Sequence, residues 1–280
     1  MILLLDSGST STQVALIDSD GNFKTYDCKG FNPYYYNPNE FYELLRNELY
    51  FKVKGQGIKQ VFYYGSGCSS DANCDLVVST LRRFFPSAEI QVEHDLFGAA
   101  IALYGHKRGI ACILGTGSNS CLWDGERILE NAPSLGYMLG DEGSGTYLGK
   151  IMLTEILSGE ANPEIAKAFY REYKLSFSSI LERIYREPYP NLFFSGISEF
   201  INRHIDHPWC QKLVKRNFTD FVDKQVSKYS TYQTSPVSFI GSVAYHFQEL
   251  LEEVLDENNI TFGKVMRSPM EGLIDYHINN

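Results

Sequence analysis

Apolar positions follow two rhythms along this chain. In the first half, short apolar runs alternate with small polar turns. Residues 2–5 and 13–17 are such runs, joined by "DSGSTST" at 6–12, and "DSDGN" then turns the chain into "FKTYDC". This spacing predicts a strand, a small-residue loop, a second strand, a tight turn and a third strand. The pattern continues with a strand at 60–64 entering "GSG", a helix over "LVVSTLRRFF", a strand over "EIQVEHD" and a helix over "LFGAAIALYG". From Tyr147 to about Gln233 the period becomes helical, with breaks expected near Pro163, Pro188, Pro190 and Pro208. "VSFIGSVAYHFQELLEEVL" then predicts a strand, a Gly/Ser turn and a helix whose Val243, Phe247, Leu250, Leu251 and Val254 share a face.

The opening pattern recurs. "IACILGTGSNSCLWDGERIL" has the same strand, small loop, strand, DG turn and strand, 109 positions downstream when Gly8 is set against Gly117. In that register Asp6 faces Gly115. Duplication of this unit implies two similarly folded halves. The expected division is a first domain over 1–113 and a second over 114–280 that carries extra helices, with a C-terminal tail free to return to the first. The fold class is α/β.

Composition excludes several functions. The 280 residues carry a net charge of -9 and show no basic run, which disfavours nucleic acid and anionic membrane as partners. No apolar run approaches the roughly 20 residues needed to span a bilayer, and the first residues lack a signal-peptide pattern. The six cysteines have no zinc spacing, so reduced thiols in a cytoplasmic protein are expected.

The loop at 6–12 carries the chemistry. Its glycine and hydroxyls suit phosphate oxygens, and an ordinary hairpin with an Asx-type turn is the plain alternative. Asp6 would repel a triphosphate unless a divalent cation stood between them, which is how Mg²⁺ is commonly held. "GTGSNS" at 115–120 repeats the small-residue chemistry. No P-loop and no dinucleotide-binding fingerprint is present. Asp95, at a strand end before a helix, fits either a general base or a helix N-cap. Ser144 and Gly145 stand where a helix N-terminus would present N–H groups, and Asp141 and Glu142 suit sugar hydroxyls or that helix's cap.

Together, "DSGST", "GTGSN", "MLGDEGS" and "GSV" resemble, in order and over nearly the whole chain, the BadF/BadG/BcrA/BcrD-type ATPase family, and within it the N-acetylglucosamine kinases of the actin/hexokinase/Hsp70 superfamily. The resemblance implies two ribonuclease-H-like (actin-like ATPase) domains with an interdomain cleft, binding ATP–Mg²⁺ and a sugar. It implies Asp6 for Mg²⁺, and Gly8, Ser9, Thr10, Gly115, Thr116 and Gly117 for phosphates. Gly241 and Ser242 would lie against adenosine, Asp95 would be the catalytic base, and Asn32, Asp95, Gly136 and Asp141 would meet the sugar. The resemblance also allows a homodimer. Leu135 stands where these kinases tend to carry Trp, and 280 residues is short for that branch.

Three functions follow as expectations. The first is an ATP-dependent kinase of N-acetylglucosamine or a related amino sugar. The second is a BadF-type activator of a dehydratase, which needs thiolates for a shared iron–sulfur cluster. The third is a non-catalytic sensor of nucleotide or sugar.

Overall fold

The computed structural model describes residues 1–280 and divides into two compact units. The first comprises residues 1–107, 125–127 and 268–280, and the second comprises 108–124 and 128–267. Each unit is built on one five-stranded mixed sheet.

The first sheet contains β1 (Ile2–Ser7), β2 (Ser11–Ile17), β3 (Phe23–Lys29), β4 (Gln60–Gly65) and β5 (Glu89–His94), in the order β3-β2-β1-β4-β5. The three leading strands form an antiparallel meander, and β4 and β5 add in parallel. Leu3, Leu4 and Leu5 are all fully buried, so β1 is covered on both faces. Leu3, Leu5, Val14 and Leu16 pack with Phe41, Leu45, Val77 and Leu81 in one cluster. Helix Asp95–Tyr104 packs on β4 by a close approach, because a Cβ on Gly98 would stand 2.7 Å from the Tyr64 ring. Helix Met270–Asn279 meets it where Gly272 lies against the Ala102 backbone.

The second sheet contains β6 (Gly109–Leu114), β7 (Ser118–Trp123), β8 (Ile128–Asn131), β9 (Val237–Ile240) and β10 (Phe262–Met266), in the order β10-β9-β6-β7-β8. Again an antiparallel meander is extended by two parallel strands. Its core gathers the strand residues Ile110, Cys112 and Phe239 with helical side chains such as Met152, Phe169, Phe200 and Phe218. Helices Gly145–Ser158 and Pro190–Arg203 cross at Gly149, which touches the Phe194 backbone.

The helical region breaks where expected, and Pro163, Pro190 and Pro208 each open the helix after a break, at the first helical position where a missing N–H costs nothing. Three expectations need correction. The division at 113/114 falls inside β6, and the units part instead at 107/108, because Ile110–Leu114 pair with β7. The last apolar helix breaks at Phe247 into Ser242–His246 and Gln248–Glu257. The repeat's register also shifts. β1 pairs to β2 through Ser7 and Thr12, and β6 to β7 through Leu114 and Ser118. By strand position Ser7 therefore matches Leu114, an offset of 107, and Asp6 matches Ile113, not Gly115.

Candidate active site

In the first unit, Asp6 and Asp95 come together from positions 89 apart in sequence. Asp6 is the penultimate residue of β1, and Asp95 follows β5 as the first residue of its helix. Both are half-buried. Burial and then the neighbouring Asp95 charge push the Asp6 carboxyl up to about 7. Burial also raises Asp95, against the opposing effects of His94 and of its hydrogen bond from the Leu96 N–H at 2.9 Å. The N-cap of that helix is His94, whose Nδ1 accepts from the Phe97 N–H at 3.3 Å. Capping therefore does not account for Asp95.

The loop after β1 is braced from behind. Gly8 N–H donates to the Ser11 carbonyl at 2.9 Å, and Gly30 N–H to the Thr10 carbonyl at 3.1 Å. Gly30 has no room for a side chain, since a Cβ would stand 2.5 Å from the Ser9 carbonyl oxygen. Phe31 N–H donates to Ser7 Oγ at 3.1 Å. Gly8 thus spends its N–H inside the hairpin and offers only close approach. The Asn32 amide is committed as well: Nδ2 donates to Ser9 Oγ at 3.0 Å and to Ser66 Oγ at 3.4 Å, while Oδ1 accepts from the Tyr34 N–H at 3.0 Å. Ser66, from the "GSG" loop after β4, belongs to this polar cluster and was not singled out in the sequence. The Gly/Ser loop itself was its only signal.

In the second unit, the loop of Gly115, Thr116 and Gly117 closes with a Gly115 N–H to Gly117 carbonyl bond of 3.0 Å. The expected anion-binding N-terminus of helix Gly145–Ser158 is used differently. Gly145 N–H donates to the Gly115 carbonyl at 2.9 Å, and Thr146 N–H to the Thr116 carbonyl at 3.2 Å. Thr146 Oγ1 adds a 2.6 Å bond to the same carbonyl. These donors support the loop and do not point outward. Ser144 caps the helix by accepting from the Tyr147 N–H, so neither Asp141 nor Glu142 is its cap.

Asp141 adopts a left-handed backbone with φ 64°. Its carboxylate lies beside Gly117, where a Cβ would stand 3.2 Å from Oδ2, with the Ser118 N–H close by. Burial, first, pushes Asp141 up to about 6 against the pull of that N–H and of Lys150. Gly241, with φ 125°, lies flat on the backbone of Leu114 and Gly115 and starts the short Ser242–His246 helix. Gly136 (φ 70°) has nothing around the position of a missing Cβ, and Leu135, Met138 and Leu139 beside it are exposed. The structure thus gathers Asp6, Gly8, Ser9, Thr10, Asn32 and Asp95 in one unit. It gathers Gly115, Thr116, Gly117, Asp141 and Gly241 in the other.

Other candidates resolve into structure. His204 bonds Glu172 at 2.9 Å and His207 caps helix Pro208–Lys224, so these two histidines, three apart in sequence, serve pairing and capping. All six cysteines are free and five are buried. Burial pushes Cys68 and Cys121 up to about 12 and Cys210 up to about 11, as expected of thiols packed as small hydrophobes. No helix is long and apolar enough to cross a membrane.

Two sheets of one topology, each leading from its first strand into a small-residue hairpin, define a two-domain actin-like ATPase fold of the α/β class. No protein-family model and no curated protein matches the sequence. A solved structure from Porphyromonas gingivalis, described as a "putative N-acetylglucosamine kinase", is 43% identical with a TM-score of 0.95, over 100% of this chain and 99% of its own. Another so described, from Chromobacterium violaceum, is 16% identical with a TM-score of 0.75, over 98% of each chain. A ROK family glucokinase from Streptomyces griseus, solved with glucose and AMPPNP, is 16% identical with a TM-score of 0.65, over 98% of this chain and 97% of its own. The last two share the fold. The chain belongs to the family of the Porphyromonas gingivalis protein, the "putative N-acetylglucosamine kinases", within the actin-like ATPase superfamily.

Proposed function

We propose that this protein is an ATP-dependent sugar kinase that phosphorylates a hydroxyl of N-acetylglucosamine or a closely related amino sugar. The observation that carries the reading is the Asp6–Asp95 carboxylate pair, in a chain 43% identical over its whole length to the Porphyromonas gingivalis protein.

Asp95 is the base. One of its oxygens is fixed by the Leu96 N–H, which leaves the carboxylate aimed and still able to accept a proton from the attacking hydroxyl. Its raised proton affinity makes it a better acceptor than an ordinary aspartate. Asn32, held by Ser9, Ser66 and Tyr34, presents the remaining lone pair of Oδ1 to the sugar. Asp141 accepts from sugar hydroxyls. Ser9 and Thr10 and the Gly115–Thr116–Gly117 loop take phosphate oxygens, Gly8 lets them approach the backbone closely, and Gly241 and Ser242 border the adenosine. Gly136 and the exposed residues around it border the sugar, with Leu135 in place of an aromatic platform.

Mg²⁺ fits the residues present. Asp6 is a carboxylate with no hydrogen-bond donor of its own and a second carboxylate beside it, so its charge calls for a cation. Asp6 would hold the ion, which would neutralise charge on the transferring phosphoryl group.

The test is sugar-dependent ADP release from Mg²⁺–ATP over a panel of N-acetylated and plain hexoses. Stimulation by N-acetylglucosamine above the plain hexoses is expected. A folded, nucleotide-binding preparation stimulated by no sugar would overturn the reading.

A further inference from the structure

Asp141 sits in a loop that the chain by itself does not favour. Aspartate enters the left-handed region, here at φ 64°, more readily than most residues, yet the conformation remains uncommon and is held by its surroundings. One support is local: the Ser144 N–H to Asp141 carbonyl bond at 3.1 Å. Another comes from far away. Asn217, in the middle of helix Pro208–Lys224, is completely buried, and its Oδ1 accepts from the Gly143 N–H at 2.9 Å. Gly143 is itself left-handed, with φ 85°. It is wedged so that a Cβ would stand 2.8 Å from both Leu114 at the end of β6 and Phe221 on the helix.

Asn217 holds this post at a cost. Its Nδ2 is buried and has no partner. An orphaned buried amide is destabilising, and a leucine of similar size would remove that penalty in an otherwise apolar helix face formed by Leu213, Val214, Phe218 and Phe221. Flipping the amide offers no relief, because it would set two donors against one another. The side chain is explained by what Oδ1 does. It supplies the acceptor that pins Gly143, and so fixes the approach of Asp141 to Gly117 on one side and the start of helix Gly145–Ser158 on the other.

We propose that Asn217 is a positioning residue for the sugar site, setting the 141–144 loop through its bond to the Gly143 N–H. This rests on the kinase reading above, in which Asp141 meets the sugar. Without the bond, Asp141 relaxes and sugar binding weakens, while chemistry at Asp95, in the other unit, keeps its own supports.

The experiment compares Asn217→Leu with Asn217→Asp in three measurements: KM and kcat for the sugar, melting temperature, and hydrogen exchange at the Gly143 amide. Leucine removes the acceptor, so sugar KM should rise about 10–100-fold with a smaller change in kcat, and Gly143 protection should fall. Aspartate keeps the acceptor but buries a carboxyl group. It should melt below the leucine variant yet stay within about threefold of the parent KM and keep Gly143 protected. A wild-type KM in the leucine variant, a KM that follows melting temperature across both variants, or unchanged Gly143 exchange would each overturn the proposal. If the unsubstituted protein shows no sugar-stimulated turnover, the kinase reading fails, and Gly143 exchange still decides whether Asn217 sets the loop.

Discussion

Where β1 of the first sheet carries Asp6 and Ser7, β6 of the second carries Ile113 and Leu114. The two sheets share strand order, strand direction and a small-residue hairpin at the same place, yet only one has a carboxylate there. They also brace their hairpins differently. The first relies on hydroxyl and amide side chains, with Asn32, Ser9 and Ser66 in one cluster. The second is fixed by the backbone N–H groups that open a 14-residue helix. Side-chain hydroxyls can exchange partners when a ligand arrives, whereas helix-terminal N–H groups locked on carbonyls give a stiff loop. On the proposed reading, one scaffold thus yields a unit that carries the base and the metal-holding carboxylate and a unit that holds phosphate in a fixed frame.

The comparison breaks first at the carboxylates. Asp95→Asn should lower kcat by roughly 10²–10⁴-fold with nucleotide affinity nearly unchanged, the range of a positioned base. Steady-state rates with a nucleotide-binding titration check this. Asp6→Asn should weaken the dependence of the rate on Mg²⁺, whereas Ile113→Val at the matching position of the second sheet should alter neither measurement. Near-normal turnover in Asp95→Asn would remove the functional difference between the units.

The frames can be tested next. Gly65, the last residue of β4, and Gly241, the residue after β9, occupy matching places beside the first strands of their sheets, but the atoms around them differ. A Cβ on Gly65 would meet the Tyr63 ring, while one on Gly241 would strike the Leu114 backbone at a φ of 125°. Gly241→Ala should cost about 2–3 kcal/mol, and Gly65→Ala less, because a ring can shift and a strand end cannot. Chemical denaturation of both variants measures the difference.

The smallest effect sharpens the contrast in how the first unit is closed. His277, on the last helix, lies 4.0 Å from the Phe62 ring centroid and bonds the Tyr64 hydroxyl at 2.9 Å. Burial lowers its pKa to about 4. Below its unfolded value near 6.5 the unfolded chain therefore binds a proton that the folded chain refuses. Stability contributed by neutral His277 is complete above pH 6.5 and is lost as pH falls toward 4. Partial exposure of the ring holds the effect to about 1 kcal/mol. His277→Phe should flatten that part of the stability–pH curve, read from melting temperatures between pH 4 and 7. An unchanged slope would show that the ring is not the group responsible.

Local pattern determined much of this protein. Period-two apolar runs ending in small residues mark β1, β2, β6 and β7, and Asp6 was visible as a carboxylate that an ordinary hairpin does not need, whereas Asp95 fitted a base or a helix N-cap equally until the structure gave the cap to His94. What tertiary structure decided is whatever depends on partners distant in the chain. The repeat's register moved from 109 to 107 because strand pairing, not glycine spacing, aligns the two hairpins. The N–H groups of Ser144 and Gly145 looked free, but folding gives them to the Asp141 carbonyl and to the Gly115 carbonyl 30 residues earlier. Asn217 reads as an ordinary polar helix residue until Gly143, 74 residues away, is packed against it. A sequence states what each residue can donate, accept or bury. Which of those capacities remain for a ligand is settled only when folding has paired the rest.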